Sequence, residues 1–112
     1  MGKYTLGEFE EIVMLTILIL REEAYGVSIK REIEERLDRK VSLGAMRSAL
    51  DRLENKGMLE SEFGEATAVR GGKRKKFFTV TVSGQKALET SRDARQKLWE
   101  AIPEMIVKPS NS

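Results

Sequence analysis

Arg70, Lys73, Arg74, Lys75 and Lys76 crowd into the stretch 70–76, open on Gly71-Gly72 and run straight into the alternating segment Phe77-Phe78-Thr79-Val80-Thr81-Val82. From Ala66 to Leu88 there are six Lys or Arg and no Asp or Glu. Cations at that density, without carboxylates to balance them, suit the neutralisation of a polyanion. The rest of the chain is mixed in charge: setting the five bases of 70–76 aside leaves fifteen bases against eighteen acids. The positive charge is therefore focused on one segment. A focused basic finger on a small domain points first to nucleic acid.

Other chemistries lack their reagents. The 112 residues include no Cys and no His. That removes thiolate metal sites and disulfides, the commonest neutral-pH general base, and any Cys–His or Ser–His nucleophile pair. Gly71-Gly72 is followed by Lys-Arg-Lys-Lys rather than a helix start, so no phosphate-cradling glycine motif is present. Carboxylates are scattered as charge pairs would be. We expect no enzyme, no cofactor and no metal site.

The finger must be held by something. Thr5 and Glu8 have capping-box spacing before an apolar run, which predicts a first helix over 6–22. Its second half, from Ile12 to Leu20, is apolar nearly all round, so both the core and a further surface must cover it. A second helix is expected over 27–39, with Ile29, Ile33 and Leu37 on one stripe. Ser42 is a good N-cap for a third helix ending at Lys56, with Gly57 as the residue beyond its cap. Leu43, Met46, Leu50 and Leu53 form its expected buried seam. Arg47, Ser48, Asp51, Arg52 and Asn55 face away. A strand over 58–63, a hairpin tip over 64–75 and a return strand over 76–82 follow, with Phe78, Val80 and Val82 sharing one face. Ser83 then caps a last helix over 84–102, which Pro103 ends.

Two helices joined by a very short link and followed by a hairpin make a winged helix-turn-helix. The expected fold class is mainly α with a small β-hairpin wing (α+β), plus a C-terminal dimerisation helix. The expected division is 1–83 for the winged domain, 84–106 for the dimerisation helix and 107–112 for a tail. This arrangement places the third helix in the major groove and the wing along the backbone or minor groove of double-stranded DNA. The expected DNA-binding residues are Ser42, Ala45, Arg47, Ser48 and Arg52 of the third helix, with Arg70, Lys73, Arg74, Lys75 and Lys76 of the wing. Ser42 is a cap first, but a helix N-terminus also offers N–H groups to a phosphate. Arg47 has Asp51 four residues on, spacing that allows a local ion pair.

The last helix repeats Ala87, Ser91, Ala94, Leu98, Ala101 and Met105 at coiled-coil spacing, broadened by Trp99 and Ile102. With the over-apolar first helix, this predicts a homodimer whose interface includes Ile12, Leu15, Ile19, Ala94, Leu98, Trp99 and Ile102. Trp99, the only tryptophan, is either interface packing or a flat wall for a small hydrophobic effector. The apolar run from Ile12 to Leu20 is too short to span a bilayer, and the N-terminus lacks the pattern of a signal peptide, so a cytoplasmic location is expected.

Taken in order, Leu6-Gly7-Glu8-Phe9-Glu10-Glu11, Tyr25-Gly26-Val27-Ser28-Ile29, Val41-Ser42-Leu43-Gly44-Ala45, the run from Leu50 to Leu59 and the run from Gly71 to Phe78 resemble the PadR-like transcriptional regulators. The likeness covers roughly 5–90. It implies a dimeric winged-helix repressor in which the C-terminal helix packs on the partner's N-terminal helix. It also implies a response to phenolic acids, hydrophobic drugs or similar small molecules, in some relatives through a tryptophan of the last helix. Two positions depart from the family pattern. Arg47 stands where an aromatic residue, commonly Tyr, is usual, and Phe77-Phe78 where Tyr-Tyr is usual. Arg47 therefore changes the base contacts the family would make and offers a guanine or phosphate contact instead. Two other readings compete: a winged helix whose basic wing docks an acidic protein, and a small-molecule sensor without DNA.

Overall fold

The computed structural model describes residues 6–64, 74–104 and 109. Helices α1 (Glu8–Leu20), α2 (Gly26–Leu37) and α3 (Leu43–Asn55) are followed by strands β1 (Leu59–Phe63) and β2 (Lys76–Val80) and by helix α4 (Val82–Ala101). A 3₁₀ turn, Arg21–Glu23, joins α1 to α2. The strands pair antiparallel, with Leu59 opposite Val80 and Ser61 opposite Phe78. The expected winged helix-turn-helix with a small β-hairpin is the observed fold.

The core is built where the three helices and the hairpin meet. Val13, Met14 and Ile17 of α1, Ile29 and Ile33 of α2, and Met46, Ala49, Leu50 and Leu53 of α3 enclose it, with Met58, Leu59, Phe78 and Leu88 closing the far side. The buried Thr16 hydroxyl donates to the Ile12 carbonyl at 2.7 Å, so no polar side chain is orphaned there. The end of α3 matches its sequence signal. Gly57 sits at φ +77°, its N–H reaches the Glu54 carbonyl, and the Met58 N–H reaches the Leu53 carbonyl. Those two bonds are the glycine-terminated helix stop that Lys56-Gly57 foretold.

Several boundaries differ from expectation, each for a local reason. The N-cap of α1 is Gly7, and Glu10 rather than Glu8 reaches back, accepting from the Gly7 N–H at 2.9 Å; Thr5 lies outside the described residues. α2 ends at Leu37 because Asp38 turns left-handed at φ 52°. Leu37 and Leu43, expected on buried seams, are exposed: each lies at a helix end, beyond the reach of the core. β2 stops at Val80, since Thr81 and not Ser83 caps α4. Its Oγ1 accepts from the Gly84 N–H at 3.0 Å and donates to the Gly57 carbonyl at 2.7 Å. Val82 thus belongs to α4 and points out to solvent. The hairpin tip lies mostly outside the described residues, Arg70 and Lys73 included.

α4 packs into the core at one end only. Gly84 is buried, and a Cβ there would stand 2.3 Å from the Met58 carbonyl oxygen, so only glycine allows this approach. Leu88 is buried and Ala87 and Ser91 are partly covered, but every residue from Arg92 to Ala101 is exposed. The radius of gyration is 17.4 Å, against roughly 13 Å for a compact domain of this length. The second half of α4 adds no residue to the core.

Candidate nucleic-acid interface

The outer side of α3 carries Arg47, Ser48 and Asp51, all exposed. Met46, Ala49, Leu50 and Leu53 turn inward, so the 3.6-residue period fixes which residues can leave the protein surface. Ser42 accepts from the Ala45 N–H at 3.0 Å, capping the helix while its remaining N–H groups stay open to solvent. Arg47 takes part in none of the ion pairs found among the described residues; the local pair with Asp51 does not form. Its guanidinium remains available.

The wing begins beside that face. Arg47, Asp51, Arg74 and Lys76 share one groove with the floor residues Met46 and Phe78. Arg74 donates from Nε to the Gly64 carbonyl at 2.9 Å and stacks over Phe63. Lys75 holds its ammonium 4.3 Å above the Tyr25 ring, and Tyr25 meets Phe77 edge to face. The Phe78 N–H donates to the Ala24 carbonyl at 2.9 Å. These contacts bind the base of the wing to the start of α2, so wing and helix-turn-helix are positioned together. Lys76 is partly exposed and lies 3.5 Å from a Glu54 oxygen, a partly exposed ion pair at the edge of the same groove.

Arg52, expected at DNA, is turned the other way. Its Nε lies 3.1 Å from Glu10 Oε2, and Lys56 Nζ lies 3.3 Å from the same carboxylate. Burial would raise the Glu10 pKa. The Gly7 N–H, Arg52 and Lys56 hydrogen bonds together outweigh it and hold the pKa below the ordinary carboxylate value. These cations fasten α3 to the first turn of α1.

Two cations escaped the sequence reading. Arg39 and Lys40 lie in the α2–α3 link, beside Ser42 and Ala45, on the side of α3 away from the wing. Arg39 stacks over Phe9 and lies 3.6 Å from a Glu8 oxygen. Glu34 fixes the link: its carboxylate accepts from the Val41 N–H at 2.9 Å and from Lys30 at 3.2 Å, and these bonds lower its pKa. In the sequence only their position just before Ser42, at the start of α3, distinguishes these cations. Bases therefore flank the exposed end of α3 on both sides.

The second surface lies at α1 and α4. Leu15, Leu18 and Ile19 of α1 are exposed, as are Leu98, Trp99 and Ile102 of α4. Leu15, Leu18, Leu88, Arg92 and Trp99 line a groove of about 480 Å³ between the two helices. Arg95 ties the helices with bonds of 2.7 and 2.9 Å to the Glu11 carboxylate. Of the expected interface residues, Ile12 is partly buried against its own core, while Leu15, Ile19, Ala94, Leu98, Trp99 and Ile102 are exposed.

Residues 14–90 match the PadR-like family of transcriptional regulators. The chain belongs to that family. Solved structures fit along most of its length. A PadR-like transcription factor from Bacteroides fragilis is 26% identical at a TM-score of 0.69, over 84% of this chain and 85% of that one. A PadR family regulator from Clostridium difficile R20291 is 25% identical at a TM-score of 0.65, over 84% and 94%. RosR from H. salinarum is 26% identical at a TM-score of 0.60, over 93% and 84%. No curated protein matches the chain. As a PadR-like protein the chain is a DNA-binding regulator of transcription and not an enzyme. Among the described residues, no group of acidic side chains could hold a metal ion and no helix is long and apolar enough to cross a membrane.

Proposed function

We propose that this PadR-like regulator is a cytoplasmic repressor that binds a pseudo-palindromic operator as a homodimer. The observation that carries the DNA-reading part is the placement of Arg47, exposed on the outer side of α3 and in no ion pair among the described residues, in one groove with the wing cations Arg74 and Lys76, while the link cations Arg39 and Lys40 lie beside Ser42 and Ala45 at the start of the same helix. Affinity comes from phosphate neutralisation by the flanking cations, joined by Arg70 and Lys73 of the wing tip. Sequence preference comes from Arg47 and Ser48, with Ser42 and Ala45 at the helix start touching the backbone. Dimerisation is the role of 84–106. It sets the unpartnered face of α4 against the exposed apolar face of α1 in the partner, leaving 1–83 as the DNA-binding unit and 107–112 as a tail. A hydrophobic or aromatic effector seated on Trp99 between the two copies changes the spacing of the recognition helices and releases DNA.

Gel-shift titration of the full chain on duplex DNA at several salt concentrations tests the core of this reading. Several phosphate contacts per subunit, at a slope of about 0.9 each, give a log–log salt slope of roughly 5 or more in magnitude. Replacing Arg74 and Lys75 by Ala flattens that slope and weakens operator and random DNA by similar factors. A slope near zero, or unchanged binding by the double variant, refutes the electrostatic role of the wing.

A further inference from the structure

Leu43 and Val27 are large apolar side chains in an unexpected place. Leu43 opens α3 and is 56% exposed; Val27, in the first turn of α2, is 46% exposed. Single exposed apolar residues need no explanation. These two line one groove of about 550 Å³, whose rim is formed by Arg47, Asp51, Arg74 and Lys76. A cationic rim attracts an anionic occupant, and an apolar lining selects the part of that occupant that is itself apolar. The Asp51 carboxylate repels a phosphate at this spot and so favours a base edge. Among the groups that base pairs display in the major groove, the thymine C5 methyl is the apolar one.

We propose that Leu43 and Val27 receive a thymine methyl, and that thymine is a required base of each half-site. The proposal rests on α3 being the helix that reads DNA. Leu43 and Arg47 are four residues apart, about 6 Å on a helix surface, against roughly 3.4 Å per base step. The thymine therefore falls one or two steps from the base met by Arg47. Leu43 thus acts as a specificity determinant that works through an uncharged contact, distinct from the salt-dependent grip of the wing.

The test begins with selection of binding sites from a random duplex pool by the full chain and by its Arg47→Ala variant. The position at which Arg47→Ala relaxes preference marks the base read by Arg47, and a thymine preferred by the wild type should lie within two steps of it. Deoxyuridine in place of that thymine removes only the methyl. It should weaken wild-type binding about four-fold per half-site, the worth of one buried methyl-sized group. The double variant Leu43→Ala, Val27→Ala should bind the thymine and uracil duplexes alike while keeping the wild-type salt slope. Leu43→Met, which keeps an apolar contact, should still discriminate, so a folding defect in the Ala variant cannot mimic the result. Equal wild-type affinity for thymine and uracil at every selected thymine overturns the proposal while leaving DNA reading by Arg47 intact. A selected sequence unmoved by Arg47→Ala overturns the assignment of α3 as the reading helix, and this proposal with it.

Discussion

The guanidinium of Arg52 lies 3.1 Å from the carboxylate of Glu10, forty-two residues earlier in the chain, while Arg47, five residues before it on the same helix, has no such partner among the described residues. Two arginines of α3 that look alike in sequence therefore stand in different surroundings. Arg52→Ala should lower thermal stability by about 1 kcal/mol, a typical worth for a charge-assisted hydrogen bond at a half-exposed cation. Its DNA affinity per folded molecule should stay near wild type. Arg47→Ala should do the reverse, melting as wild type does while losing about 1–3 kcal/mol per half-site on operator DNA if a guanine is read. Melting curves and operator titrations of both variants separate the roles. Loss of operator affinity in Arg52→Ala without loss of stability would contradict the assignment.

Glu10 gives the fold a pH dependence of known sign. Its folded pKa lies below the value of 4.5 taken for a free carboxyl. The stabilisation is therefore complete above that unfolded value and is lost as pH falls through the depressed folded pKa. Glu10→Gln should destabilise the protein by about 1–3 kcal/mol near neutral pH, since Arg52, Lys56 and the Gly7 N–H lose a charged acceptor. The gap between wild type and variant should close as pH drops below the carboxylate range. Denaturant titrations across that range check this. A gap that stays constant with pH would show that the carboxylate charge contributes nothing.

Gly84 and Gly44 should respond in opposite directions to the same substitution. A Cβ on Gly84 meets the Met58 carbonyl oxygen at 2.3 Å and the Met14 methyl at 2.9 Å. The backbone atom cannot give way without shifting α4, so Gly84→Ala should cost about 1–3 kcal/mol. A Cβ on Gly44 meets nothing within 4 Å. Gly44→Ala in the first turn of α3 should stabilise by up to about 1 kcal/mol through helix propensity and lower unfolded-state entropy. Thermal melts of both variants decide it, and equal effects would mean that the approach of α4 to the α3–β1 turn is looser than described.

Much of this architecture was legible from residues whose preferences are strong and local. Ser42 as a cap, Gly57 as a stop and the alternation through Phe77-Phe78 each have one good structural outcome, and α3 and the hairpin lie where those signals put them. The misplaced residues are those whose outcome depends on distant neighbours. Thr81 outcompetes Ser83 as a cap because its hydroxyl also finds the Gly57 carbonyl. Leu43 has a core-like periodicity, but it lies beyond the last residue that the core can cover. Arg52 reads as a free surface cation until α1 brings Glu10 beside it. No local pattern reports that pairing.

The exposed face of α4 yields the last prediction. Leu98 is 71% and Trp99 60% exposed in a single chain, on the half of α4 that adds nothing to the core. A carboxylate at position 98 would be solvated in a monomer, so Leu98→Glu should leave the fold of one chain intact. In a dimer that buries this face, the same carboxylate would lose its water without gaining a partner, at a cost of several kcal/mol. The variant should therefore sediment as a folded monomer with native circular dichroism. Trp99 emission should shift to the red, since the indole passes from an apolar interface to water. Operator affinity should fall steeply, because two linked half-sites become two independent weak ones, while binding of a single half-site should change little. If Leu98→Glu remains a folded dimer, the partner contact lies elsewhere on the molecule, and the exposed apolar residues of α1, Leu15, Leu18 and Ile19, are the next surface to substitute.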